Sequence, residues 1–236
     1  MNFEQLQTLK SLRSQEWPVT SYQHVSWDNL FFLTAYQPGQ TFLMMADGQG
    51  LVVDRSVKEV VNEFAKVNQV WALDTKCFYC DYPRRPIAYV AGRHALVPSQ
   101  GIKDENVVYY MSNFMVHHHF DRRLGGMLLC FQTSEQGHTI KLLLDVSPKS
   151  FDGILQIVDQ IATQQELILC QTLVWLGLAA RGSWHEYKHQ NEAFLAWQRH
   201  WAKMLLIDFC NRMYGDPSED DCAKYIKYYF QQPYRI

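Results

Sequence analysis

From Ser147-Pro148 onward the hydrophobic period of this 236-residue chain becomes helical, and that change restricts the fold to a small set. Upstream, short apolar runs alternate with turn signals: Leu30 to Tyr36, the turn Gln37-Pro38-Gly39-Gln40, Thr41 to Ala46, the turn Asp47-Gly48-Gln49-Gly50, then Leu51 to Asp54. Proline presets φ and glycine accepts φ above zero, so Pro-Gly and Asp-Gly between apolar runs predict a meander. Downstream, Ser147 stands at an N-cap with proline in the first helical turn, and Phe151, Ile154, Leu155, Val158 and Ile161 share one face. Strands first and helices last predict an α+β chain, with a mainly antiparallel sheet in the N-terminal and central part and a helical C-terminal part packed on it. Residues 1–146 are then a β-rich core and 147–236 a helical region, as two domains or as one compact domain.

Finer elements follow from local pattern. Ser56 and Glu59 have the spacing of a capping box, and Val57, Val60, Val61, Phe64 and Val67 line one helical face. Residues 3–14 carry a weak helical pattern. Short strands are expected at Ile87 to Ala91 and His94 to Val97, and a hairpin at Met127 to Thr133 and Thr139 to Val146. Val107 to Phe120 is apolar on both faces apart from Ser112, Asn113 and the run His117-His118-His119, so it reads as a central strand shielded on each side. Further helices are expected at about 165–180, 191–214 and 218–231.

With 47% apolar residues, 14% aromatics and 19% charged residues, the chain is a packed globular protein rather than a disordered one. At this length it buries enough surface to dispense with disulfides or metals for stability. The longest apolar run, Leu167 to Ala180, is broken by Gln171 and Thr172 and falls short of the roughly 20 residues that span a bilayer. Glu4, Lys10 and Arg13 precede any apolar block, so no secretory signal is expected. The six cysteines are expected reduced, in a cytoplasmic protein.

Overall charge is close to balanced, with 22 Lys and Arg against 24 Asp and Glu, but it is unevenly distributed. Between Lys76 and Pro98, Lys76, Arg84, Arg85 and Arg93 face only Asp81, and Phe78, Tyr79, Tyr82 and Tyr89 are interleaved with them. Guanidinium pairs with phosphate through two donors and fits narrow grooves, so arginine beside aromatics suits a nucleic-acid surface. A solvated loop carries the same composition.

Three short motifs bear on chemistry. His185-Glu186-Tyr187-Lys188-His189 matches H-E-x-x-H, which on a helix aligns two histidines for zinc with a glutamate as base. Lys188 puts a cation inside that turn, no third ligand has a recognised spacing, and Glu186 completes a capping box with Ser183. Cys77-Phe78-Tyr79-Cys80 has C-x-x-C spacing but no second pair to supply four ligands. Cys77, Cys80, His185 and His189 are the candidate ligands, and neither a metal nor a cofactor is expected. His117-His118-His119 reads as a strand end where imidazoles leave the core, although an H-x-H pair can ligate a metal. There is no glycine-rich phosphate loop and no G-x-S-x-G elbow. The helix expected after Gly215-Asp216-Pro217 begins Ser218-Glu219-Asp220-Asp221, and phosphates would repel carboxylates at the end a recognition helix inserts into DNA.

The order of these features resembles the ComK family of competence transcription factors. The resemblance rests on Leu51-Val52-Val53-Asp54-Arg55-Ser56, then Arg85-Pro86-Ile87, then Ala95-Leu96-Val97-Pro98-Ser99 and Val107 to His117, then Leu129-Cys130-Phe131 leading through Gly137 to Ile140 and Ser150-Phe151. It runs from about Val52 to Ile161. Val97 and Ser99 stand where the family has an aromatic residue and threonine, and Val107 to Tyr109 where it has tryptophan. The resemblance implies a non-enzymatic, sequence-specific transcriptional activator of DNA-uptake genes, nucleoid-associated and oligomeric. It would bind AT-rich promoter boxes through the minor groove, with RNA polymerase, a proteolytic adaptor and a protease as partners. Asp54, Arg55, Ser56, Pro86, Pro98 and Ser99 match the motif. Arg55, Arg84, Arg85 and Arg93 are the candidate phosphate or minor-groove contacts, with Lys76 and Lys103 as further phosphate contacts. Asn113 is a candidate base reader that could equally bond to backbone. A charge of −2 allows no general positive field, so DNA binding must depend on a few placed arginines and groove shape. Two other classes stand beside this one: a zinc hydrolase using His185, Glu186 and His189, and a non-enzymatic module that binds an acidic protein.

Overall fold

The computed structural model describes residues 4–68, 70, 78–79, 82, 85–101, 106–133, 139–177 and 184–213. Eleven strands form two sheets among these residues. In the larger sheet, two antiparallel meanders stand side by side. One is β3 (Leu30–Ala35), β4 (Thr41–Met45) and β5 (Gly50–Val53), and the other is β6 (Tyr89–Ala91), β7 (His94–Pro98) and β8 (Val108–Met111). They meet where β3 pairs with β8, and β2 (Val19–Thr20) adds in parallel to β5, giving the order β2-β5-β4-β3-β8-β7-β6. The smaller sheet is a third meander, β9 (Met115–Asp121), β10 (Gly126–Gln132) and β11 (Thr139–Leu144), with β1 (Glu4–Thr8) parallel to β11.

The Pro38-Gly39 turn and the Ser56 cap form as their residues dictate, and a cap not read from the sequence stands at Thr8. Gln40 N–H bonds back to the Gln37 carbonyl across Pro38-Gly39, and Gly39 sits at φ +80°, as a type II turn requires at that position. Helix α1 (Leu9–Ser14) starts at Thr8, and α2 (Val57–Val67) starts at Ser56, each with a complete capping box. The Ser56 hydroxyl donates to Glu59 at 2.6 Å and its N–H at 2.9 Å, and these two bonds hold the Glu59 carboxyl below the usual carboxylate range. Residues 3–14 thus differ from the expected helix. Their first part is a strand, because Glu4 to Thr8 find a ladder on β11, a partner some 135 residues away that local pattern cannot show.

The larger sheet is buried on both faces, which explains its near-continuous apolar strands. On one face, Val60, Val61 and Phe64 of α2 pack over Leu33, Leu43, Val53, Leu96, Tyr109 and Met111. The other face meets the smaller sheet through aromatics. A bulge at Phe31 lets two consecutive residues reach the same partner: the Phe31 and Phe32 rings lie 5.4 and 5.9 Å from Phe131 of β10.

Val107 to Phe120 is not one central strand. A 3-10 turn at Ser112–Phe114 breaks it, so that β8 stays in the larger sheet and β9 becomes the edge of the smaller one. Phe114 packs its ring edge-on against Phe31 at 5.4 Å and anchors the crossing between sheets.

Two compact units divide the chain: residues 1–71 with 82–162, and residues 72–81 with 163–236. The first contains both sheets, α2, and the start of α3 (Pro148–Trp175), whose Phe151 stacks on Tyr110 at 5.8 Å and 16°. Ser147 caps α3 by accepting from Ser150 N–H. The helix runs on to Trp175 without the expected break before 165, and α4 (Trp184–Met213) begins well before residue 191. In the second unit, the Trp197 and Trp201 rings lie 6.3 Å apart, one turn from each other on α4. The helix expected at 218–231 lies outside the described residues.

Tyr110 is fully buried and its hydroxyl has no partner among the described residues. Burial also pushes that phenol far above the usual tyrosine range, so it stays neutral. An unsatisfied buried hydroxyl costs about 1–3 kcal/mol. Tyr110→Phe, which keeps the ring stack on Phe151, should therefore stabilise the protein by about 1 kcal/mol in urea unfolding. A loss of stability would show that the hydroxyl is paired.

Candidate nucleic-acid interface

Arg93 sits at the apex of the β6–β7 hairpin. Ala91 pairs with His94, leaving a two-residue turn of Gly92 and Arg93. Such turns need φ above zero at their first position, and Gly92 has φ +59°. Packing behind the turn anchors the two strands of the hairpin. Val90, Ala95, Leu96 and Val97 are buried, and Tyr89 meets Phe64 edge-on at 6.4 Å. His94 lies 5.9 Å from the Trp27 ring. Burial raises the Tyr89 phenol above its ordinary range, so this side chain stays neutral. Arg93 itself is exposed.

Arg85 lies on the chain leading into β6. Its N–H bonds to the Tyr82 carbonyl, and the Tyr82 hydroxyl donates to Gln160 of α3 at 2.7 Å. The Arg85 guanidinium passes close to Gly153, the single glycine of α3, which has no side chain to obstruct it. Tyr82 and Arg85 thus both meet the first half of α3, while the arginine remains exposed. Neither Arg85 nor Arg93 has a carboxylate partner among the described residues.

Arg55 has a different occupation. Its guanidinium is paired with Glu63 of α2 and stands over the Tyr22 ring at 5.4 Å, while its carbonyl accepts from Thr41 at 2.7 Å. It ties the β5–α2 junction together. Its motif neighbours are also structural: Ser56 caps α2, and the Asp54 N–H bonds to the Thr20 carbonyl. Pro98 ends β7. Ser99 extends its ladder, donating its N–H to the Val108 carbonyl at 2.7 Å and accepting the Val108 N–H on its hydroxyl at 3.0 Å. Pro86 is half-buried beside Arg85. Asn113 is in the 3-10 turn rather than on a strand, exposed, with its amide donating to the Trp27 carbonyl at 3.4 Å.

Lys76, Cys77, Cys80, Arg84 and Lys103 lie outside the described residues. His185 and His189 fall on α4, with side chains outside the described set. Among the described residues, no group of three or more His, Cys, Asp or Glu side chains is arranged to hold a metal, and no helix is long and apolar enough to cross a membrane.

One feature escaped sequence reasoning. A cleft of about 600 Å³ is lined by Lys10 and Arg13 of α1 together with Ser99, Asn106 and Asp145. Arg13 donates to the Ala35 carbonyl at 3.1 Å and to Asn106 at 2.9 Å. Its walls come from three segments far apart in sequence, so no local signal marks it. No family model, curated protein or solved structure matches this chain.

Proposed function

We propose that the protein is a non-enzymatic, sequence-specific DNA-binding activator of transcription that reads AT-rich promoter DNA through the minor groove. The observation that carries this reading is Arg93, an exposed arginine without a carboxylate partner among the described residues, on a two-residue hairpin turn whose strands are anchored in the sheet. A two-stranded ribbon is too wide for a minor groove of about 6 Å, but the single side chain at its apex is not. Narrow AT-rich grooves concentrate negative potential and attract such an arginine. Arg85 supplies a second cation on the chain entering the same hairpin. The resemblance to the ComK family adds promoters of DNA-uptake genes as the target, more than one subunit on the DNA, and a place in the nucleoid. RNA polymerase, a proteolytic adaptor and a protease complete the set of partners.

Fluorescence anisotropy with an AT-rich and a GC-rich duplex, each across a salt series, tests the reading. Tighter binding to the AT-rich duplex is expected, with affinity falling as salt rises. A well-folded sample that binds neither duplex at low salt would eliminate the DNA reading in favour of a protein-interaction module.

A further inference from the structure

We propose that His117 and His119 form a two-imidazole chelate for a borderline divalent transition ion, such as Ni²⁺, Cu²⁺ or Zn²⁺, on the edge of the smaller sheet. β9 is the last strand of that sheet, paired with β10 on one side and with no described strand on the other. Residues two apart on a strand project to the same side, so His117 and His119 stand together and His118 points the opposite way. The rings bear this out. His118 packs on Phe151 of α3 at 5.1 Å, whereas the His117 and His119 centroids are 5.2 Å apart with planes inclined at 32°.

That separation is the one a shared ion needs. With a metal–nitrogen bond of about 2.0–2.1 Å, each ring centroid lies about 3.2 Å from the ion, and ligand angles of about 90–109° put two centroids about 4.5–5.2 Å apart. Both imidazoles are exposed, so an ion reaches them without opening the fold. Asp121 follows on the same side of the strand, where its Oδ1 accepts the N–H groups of Arg123 at 2.8 Å and Leu124 at 3.1 Å and closes the β9–β10 turn. Its charge acts on His119, but among the described residues no three His, Cys, Asp or Glu side chains are arranged to hold one ion. Cys130 is opposite His117 in the ladder and is buried. The site therefore has two protein ligands, and its remaining coordination positions take water or an added donor. Imidazole suits nickel, copper and zinc, whereas magnesium and calcium prefer oxygen.

Isothermal titration of the 236-residue chain with Ni²⁺ tests the proposal, using wild type, His117→Ala, His119→Ala, the double variant, and His118→Ala as the control on the opposite side. Circular dichroism checks that each variant is folded. One saturable Ni²⁺ site per chain is expected, at least tenfold weaker in each single variant, absent in the double variant and retained in His118→Ala. Undiminished binding in the double variant, an equal loss in His118→Ala, or no saturable site in the wild type would each overturn it.

Discussion

Replacing Arg85 and Arg93 together with alanine should weaken binding to an AT-rich duplex by about 100- to 1,000-fold and lower the slope of log affinity against log salt by about 1–2. The size follows from about 1–3 kcal/mol for each well-placed arginine contact. The two single variants should differ in kind. Arg93 is at the apex of a hairpin and is the residue placed to enter a groove, so Arg93→Ala should reduce the preference for AT-rich over GC-rich DNA. Arg85 meets the first half of α3 and is placed to meet phosphate, so Arg85→Ala should weaken both duplexes equally. Arg55→Ala provides the contrast. Because Arg55 is already paired with Glu63 and covers Tyr22, its loss should change stability by about 1 kcal/mol or less and leave DNA affinity unchanged. Equal effects of Arg55→Ala and Arg93→Ala on affinity would place the DNA elsewhere on the molecule.

Phe131→Ala should cost about 3–5 kcal/mol of stability. Phe131 is fully buried where the two sheets meet, and it touches both phenylalanines that the β3 bulge turns toward it. Removing its ring leaves a void that neither sheet can fill alone, because each is held by its own ladder. Phe131→Leu keeps most of the volume and should cost less than half as much. Urea unfolding of the three proteins measures the difference, and a cost below about 1 kcal/mol for the alanine variant would mean that the sheets do not share a core at this point.

Elements specified by neighbouring residues are legible in the sequence alone. The Ser56–Glu59 box and the apolar face of α2 are set by spacings of three and four residues, and the Pro38-Gly39 turn by the φ each residue can adopt. The two short strands β6 and β7 were legible for the same reason, as apolar runs on either side of Gly92-Arg93, and the structure adds their pairing as a hairpin. β1 was not, since its partner β11 is more than a hundred residues away. Nor was the break at Ser112–Phe114. Both halves of that segment are apolar enough to be strands, and only the packing of Phe114 on Phe31 shows that they serve different sheets.

The same division holds at the candidate site. The sequence by itself determined the α+β class, the turns, the caps and the presence of a cluster of arginines, because these depend on residue type and short spacing. Which arginine carries an uncompensated charge was decided only by tertiary structure. Arg55 and Arg93 look alike as letters, yet α2 brings Glu63 to the first, and the hairpin carries the second away from any described carboxylate. A side chain's charge belongs to the residue, but its neutralisation depends on what folding places within about 4 Å of it.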